Sequence, residues 1–135
     1  MRTVGTFLAR LRGMSTRARQ DLAGRAQRFS VRLLRLVAVL LRDASLPRRV
    51  VDQLAAAGTA IGFNLSEAQS SISRRQMAQC YTVALRECRE TSHALGIMQA
   101  LGKGDAAEME WLLTEVNEFT AMLVVSVRRL RGPAA

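Results

Sequence analysis

Only two prolines, Pro47 and Pro133, occur in this chain of 135 residues. Between them, apolar residues recur every three or four positions, the period of an amphipathic α-helix. The stretch GTAIGFNLSEA, residues 58–68, tests that reading hardest, because two glycines among polar residues can also mark a phosphate-cradling loop. Yet Val50, Leu54, Ala57, Ile61, Leu65 and Ala68 keep to one helical face straight through it. A phosphate loop needs a strand before it and commonly a Lys-Ser/Thr pair after it, and neither is here. The stretch is therefore a helix interior. Each mid-helix glycine costs about 1 kcal/mol against alanine. Gly58 and Gly62, in GxxxG spacing, are thus expected to admit a neighbouring helix closely enough to offset that cost.

Three further segments share the period. The first runs from about Asp21 to Arg42, with Phe29, Leu33, Leu36, Val37, Leu40 and Leu41 on its apolar face. DASLP, residues 43–47, breaks the pattern, with Asp43 or Ser45 as candidate N-cap and Pro47 in the first turn of the second helix. Ser73 and Gln76 form a capping box for the third helix. Its inner face is Met77, Tyr81, Ala84, Cys88, Thr91 and Leu95, and Arg86 to Glu90 offers an i,i+4 ion pair. LGKG, residues 101–104, ends it with glycine at the C-terminal cap. Asp105 with Glu108 caps the fourth, whose inner face is Met109, Leu112, Leu113, Val116, Thr120, Leu123, Val127 and Leu130. Short links between long helices make neighbours antiparallel. The expected fold is all-α: an up-down-up-down four-helix bundle over residues 21–131, with a short tail at 132–135.

Charge is distributed unevenly. Residues 1–50 hold 12 arginines against Asp21 and Asp43, a net of +10, whereas residues 51–135 carry a net of −1. The dominance of arginine over the single lysine fits a GC-rich genome, but codon bias does not explain why the surplus sits at one end. On the first helix Arg25, Arg28, Arg32, Arg35 and Arg42 line an arc beside the apolar face. That arc reads either as a solvated face or as a surface for an anionic partner, nucleic acid before acidic membrane. Residues 1–20 read as a flexible basic arm, or as a segment ahead of a true start at Met14; they lack a secretory apolar core and cleavage site. The greasiest run, LLRLVAVLL at 33–41, is too short to span a bilayer. Cys80 and Cys88 lie about 12 Å apart along one helix, too far to bridge. A reducing cytoplasm fits that cysteine usage.

No combination of side chains makes an active site. Cys80 and Cys88 face inward and read as core residues. Glu87 and Glu90 lack the Glu-x-x-His pairs of di-metal bundles. His93, on the outer arc, has no acid or nucleophile at useful spacing. Neither a catalytic residue, a metal nor a cofactor is expected. Asn64 and Glu67, beside the core arc of the second helix on the side of Gln53, read either as a polar contact site or as hydrogen-bonding groups that fix helix register. On the fourth helix Trp111, Met122 and Val125 lie off the inner face, so they read as a subunit interface or as side chains folded back on their own helix.

The run QLAAAGTAIGFNLSEAQSSISRRQMAQCYTVALRECRETSHAL resembles the signature of the bacterial four-helix bundle proteins, also called ribosomal-RNA intervening-sequence proteins. Gln53, Leu54, Gly58, Thr59, Ile61, Gly62, Asn64, Glu67, Ala68 and Ser73 match that pattern, as do Ala84, Leu85, Glu87, Glu90, Thr91 and Leu95. The likeness extends over roughly Leu22 to Arg131. It departs at Ala56-Ala57, where the family has Arg-Ser, at Phe63 (Ala), at Cys80 (Lys) and at His93-Ala94 (Tyr-Trp). Two family cations are therefore missing from the central face, and the arginines of the first helix stand as candidates to replace them. The resemblance implies an antiparallel four-helix bundle assembled as a ring-shaped homopentamer. It also implies a distant relation to the accessory variability proteins of diversity-generating retroelements, which bind a reverse transcriptase and nucleic acid.

The expectation is a non-enzymatic, cytoplasmic oligomer that binds RNA or DNA through Arg25, Arg28, Arg32, Arg35 and Arg42, without a membrane. The alternatives are an accessory subunit docking a partner enzyme such as a reverse transcriptase, and a purely structural ring.

Overall fold

The computed structural model describes residues 16–132. Four helices follow one another: α1, Thr16–Leu40; α2, Arg48–Gln69; α3, Arg74–Ala100; and α4, Ala106–Arg131. No strand occurs among the described residues, so the all-α, four-helix expectation holds. Of the expected basic arm, residues 1–15 lie outside the described residues, while 16–20 already belong to α1. Of the tail, 133–135 lie outside as well.

The termini follow local chemistry. α2 starts after Pro47, whose fixed φ suits a helix start; neither Asp43 nor Ser45 caps it by a side-chain bond. Asp43 instead accepts from the Ser45 backbone N–H at 2.9 Å and pairs with Lys103 Nζ at 2.7 Å. That pair ties the α1–α2 turn to the α3–α4 turn at one end of the bundle. Ser73 caps α3 as expected, accepting from the Gln76 N–H at 3.1 Å. The Gln76 side chain reaches back one residue further than a capping box requires, to the Ile72 N–H. α3 ends with Gly102 at φ +69, where the Gly102 and Lys103 N–H groups bond the carbonyls of Gln99 and Met98. That pairing is a Schellman motif. Asp105 accepts from the Glu108 N–H at 2.9 Å and so starts α4.

The core runs the length of the bundle. Phe29, Leu33, Leu40, Leu54, Ile61, Tyr81, Leu95, Met98, Leu112, Phe119 and Leu123 are among its fully buried side chains. Three faces differ in detail from the sequence reading. On α2 the buried first-turn residue is Val51, with Val50 only half-buried. On α3, Ala78, Leu85 and Met98 join the face, and Met77 is half-buried. On α4 the buried set is Met109, Leu112, Glu115, Val116, Phe119, Met122, Leu123 and Ser126, with Leu113, Val127 and Leu130 half-buried. The α4 face is rotated toward α1, where Glu115 pairs with Arg25 and Phe119 packs edge-on against Phe29.

At Gly58 of α2 the Leu33 side chain of α1 fills the place of the missing Cβ. A Cβ built there would fall 1.9 Å from Leu33 Cδ2, so the expected close approach is real and Leu33 occupies it. Gly62 is less tightly placed: a Cβ there would meet Ala26 Cβ at 3.6 Å, an ordinary contact.

Candidate nucleic-acid interface

α1 packs extensively on α2 and only sparsely on α4, and long side chains close the α1–α4 gap. Arg25 pairs with Glu115 through Nε and donates from Nη2 to the second Glu115 oxygen at 3.1 Å; it also pairs with Glu118. Phe29 stacks on Trp111, ring centroids 6.5 Å apart. Arg32 grips Glu108 with both ends of its fork, Nε at 2.8 Å and Nη2 at 2.6 Å. These contacts form rungs in one antiparallel register, in which each step forward along α1 is matched by an equal step back along α4. Arg25 also lies 5.4 Å from the Phe119 ring centre, and Arg32 lies 3.6 Å from that of Trp111.

The electrostatics agree with the geometry. Hydrogen bonding to Glu115 raises the pKa of Arg25, partly opposed by desolvation. The same bonding to Arg32 holds Glu108 below the usual carboxylate range. An arginine in such a fork has its charge matched locally.

The four arginines of the expected stripe that lie on α1 therefore divide into two rows of seven-residue spacing, while Arg42 falls past the end of the helix in the α1–α2 turn, so the expected stripe stops at Arg35. Arg25 and Arg32 face α4 and its carboxylates. Arg28, Arg35 and Arg42 are exposed and make no hydrogen bond or ion pair among the described residues. Seven residues rise about 10.5 Å along a helix, which sets the spacing of Arg28 and Arg35; Arg42 follows from the turn. The row is flanked by exposed apolar side chains of α1, Val31 at 46% and Leu34 at 45% exposure. Across a groove of about 600 Å³ from Leu34 stands Phe63 of α2, at 74% exposure, above the small residues Gly24, Ser30, Gly62 and Ser66.

The remaining candidates scatter. Asn64 is half-buried and donates to the Ala60 carbonyl of its own helix at 2.8 Å, and Glu67 is exposed. Trp111 and Val125 are half-buried against the core, whereas Met122 is fully within it, so the expected projection of Met122 away from the bundle does not occur. Residues pointing into the α1–α4 wedge look off-face on a wheel centred on the leucines and valines of α4. His93 is exposed beside a shallow α3–α4 cleft with Arg89, Ser92 and Asn117. Burial pushes the Cys88 thiol up to about 12. Burial also raises Glu87, with Glu90 adding to the effect, and Arg86 approaches Glu87 at 3.9 Å rather than the expected Glu90. Among the described residues no three His, Cys, Asp or Glu side chains gather as a metal-binding group, and no helix is long and apolar enough to cross a membrane.

The partners of Arg25 and Arg32 went unread in the sequence, although a signal existed. Glu108 and Glu115 repeat the seven-residue spacing of Arg32 and Arg25, which antiparallel helices can superimpose.

Comparison with known proteins agrees with the resemblance. No curated protein matches the chain. A crystal structure of a protein of unknown function from the S23 ribosomal protein family of Bacteroides thetaiotaomicron superposes with a TM-score of 0.72 at 22% identity, covering 79% of this chain and 98% of that one. At that identity the likeness speaks for the fold. The model of the 23S rRNA-intervening sequence protein family matches residues 21–125, and the chain belongs to that family.

Proposed function

We propose that the protein is a non-enzymatic, self-associating four-helix bundle that binds RNA or DNA through the outer arginines Arg28 and Arg35 of α1 and Arg42 of the turn that follows it. The observation that carries this reading is the contrast between the two rows. Arg25 and Arg32 are matched by carboxylates, while Arg28, Arg35 and Arg42 are exposed and have no ion pair within bonding distance among the described residues, Arg35 feeling Glu108 only through its field. Exposed arginines along one side of a helix and the turn that follows it suit phosphates, which give affinity and orientation but little sequence information. Binding should then be weakly selective and steeply salt-dependent.

Self-association into the ring-shaped homopentamer that the family resemblance implies is supported by the exposed apolar groove of Leu34 and Phe63. Its small residues leave room for a helix of a second copy. The buried, high-pKa Cys88 thiol and the exposed, isolated His93 favour binding over catalysis.

Filter retention of a structured RNA tests the nucleic-acid reading. The variant R28Q/R35Q/R42Q should lose retention at moderate salt with unchanged helicity, and unchanged retention would overturn the reading. Docking of an acidic partner protein, such as a reverse transcriptase, would leave the isolated protein without affinity for RNA at low salt.

A further inference from the structure

A second group of arginines lies at the end of the bundle where α2 turns into α3 and α4 finishes. Arg74 and Arg75 open α3, and Arg128, Arg129 and Arg131 close α4. All five are exposed. Among the described residues none has a carboxylate within ion-pair distance. Two are held instead by neutral acceptors: Arg74 Nη2 donates to the Arg129 carbonyl oxygen at 2.9 Å, and Arg131 Nη2 donates to Thr82 Oγ1 at 3.0 Å. Each of those bonds uses one donor of a five-donor fork and leaves the positive charge uncompensated.

Helix electrostatics explain only half of this cluster. Cations at the end of α4 complement the negative pole of its dipole. Arg74 and Arg75 sit in the first turn of α3, at the positive pole, where the dipole disfavours them and acidic residues are expected. No acid occupies that turn. Gathering these like charges, with two of the side chains already ordered, works against stability of the isolated chain. Such an arrangement is useful when a polyanion supplies the missing charge.

We propose that this pole is a second phosphate-binding surface, which engages the backbone of the nucleic acid at a place separate from the α1 row. The inference rests on the reading given under Proposed function. The ordered guanidinium groups of Arg74 and Arg131 anchor phosphates, and Arg75, Arg128 and Arg129 add mobile cations around them.

The test measures affinity of the full chain for a 24-base-pair RNA duplex across a salt series. Three variants are compared with wild type: R74Q/R75Q/R128Q/R129Q at the pole, R28Q/R35Q/R42Q on α1, and R48Q/R49Q/R86Q/R89Q as a control that loses the same charge as the pole variant from elsewhere on the surface. Circular dichroism confirms that each stays helical. The slope of log affinity against log salt should become shallower by roughly 3.6 for the pole variant, at about 0.9 for each phosphate no longer neutralised. The control should change it by less than about 1. The charge-preserving variant R74K/R75K/R128K/R129K should keep the wild-type slope. Equal losses in the pole and control variants would reduce the effect to net charge and overturn the site. Loss in the α1 variant with none in the pole variant would overturn the pole alone. A wild-type chain that does not bind the duplex would remove the reading under Proposed function, and this one with it. A pole variant that loses binding to phosphatidylserine vesicles but not to the duplex would overturn the proposal in favour of a membrane surface.

Discussion

The Arg32 guanidinium lies 3.6 Å from the centre of the Trp111 ring while its fork holds Glu108. The chain's single tryptophan is thus covered on one face by that cation and also packs against Phe29 of the same helix as Arg32. Removing the Arg32 side chain should open one ring face to water. In R32A, Trp111 fluorescence should shift to longer wavelength and quench more readily with acrylamide, whereas R35A should leave both unchanged. Equal quenching in R32A and wild type would contradict the stacking.

Arg25 and Arg28 are three residues apart yet should behave differently. Arg25→Gln leaves the buried Glu115 carboxylate without its fork. The expected loss is about 1–3 kcal/mol, between the values for an exposed and a fully buried pair. Arg28→Gln should stay within about 0.5 kcal/mol of wild type, as surface changes do. In the double variant R25Q/E115Q the loss should be smaller than the two single losses added together. Urea unfolding of the wild type and these variants reads all of these values.

Gly58 and Gly62 should separate in the same way. Gly58→Ala drives a methyl into Leu33, which must shift, at a cost of roughly 1–3 kcal/mol. Gly62→Ala has room for its methyl and should stabilise the bundle by up to about 1 kcal/mol through helix propensity. Thermal midpoints that move in the same direction for both would contradict the packing.

Asp43 is held down to about 2 by Lys103 first and by Ser45 second. Its carboxyl is more acidic folded than unfolded, so its contribution is complete above the ordinary carboxylate range and is lost as pH falls through that range toward about 2. The difference in thermal midpoint between wild type and D43N should be constant above about pH 5 and shrink below about pH 4. A difference that does not change between pH 5 and pH 2 would contradict the tether.

Helix count, order and the close approach at Gly58 were legible in the sequence because they depend on period and on the absence of a Cβ, which are local properties. The division of the arginine stripe was not. A helical wheel places Arg25 and Arg28 on one arc, and only the position of α4 separates an arginine that meets Glu115 from one that meets solvent. The burial of Met122 and Phe119 was hidden for the same reason: the α4 face is set by two neighbouring helices, and a single wheel has one centre. The arginines of the α3 start and α4 end lie more than fifty residues apart and become a cluster only when the bundle closes.

The outer arginines of α1 and its following turn are tested most directly by the salt dependence of duplex RNA binding in R28Q/R35Q/R42Q. With three fewer phosphates neutralised, the slope of log affinity against log salt should become shallower by roughly 2.7. A variant line parallel to that of wild type would contradict a phosphate-binding role for Arg28, Arg35 and Arg42.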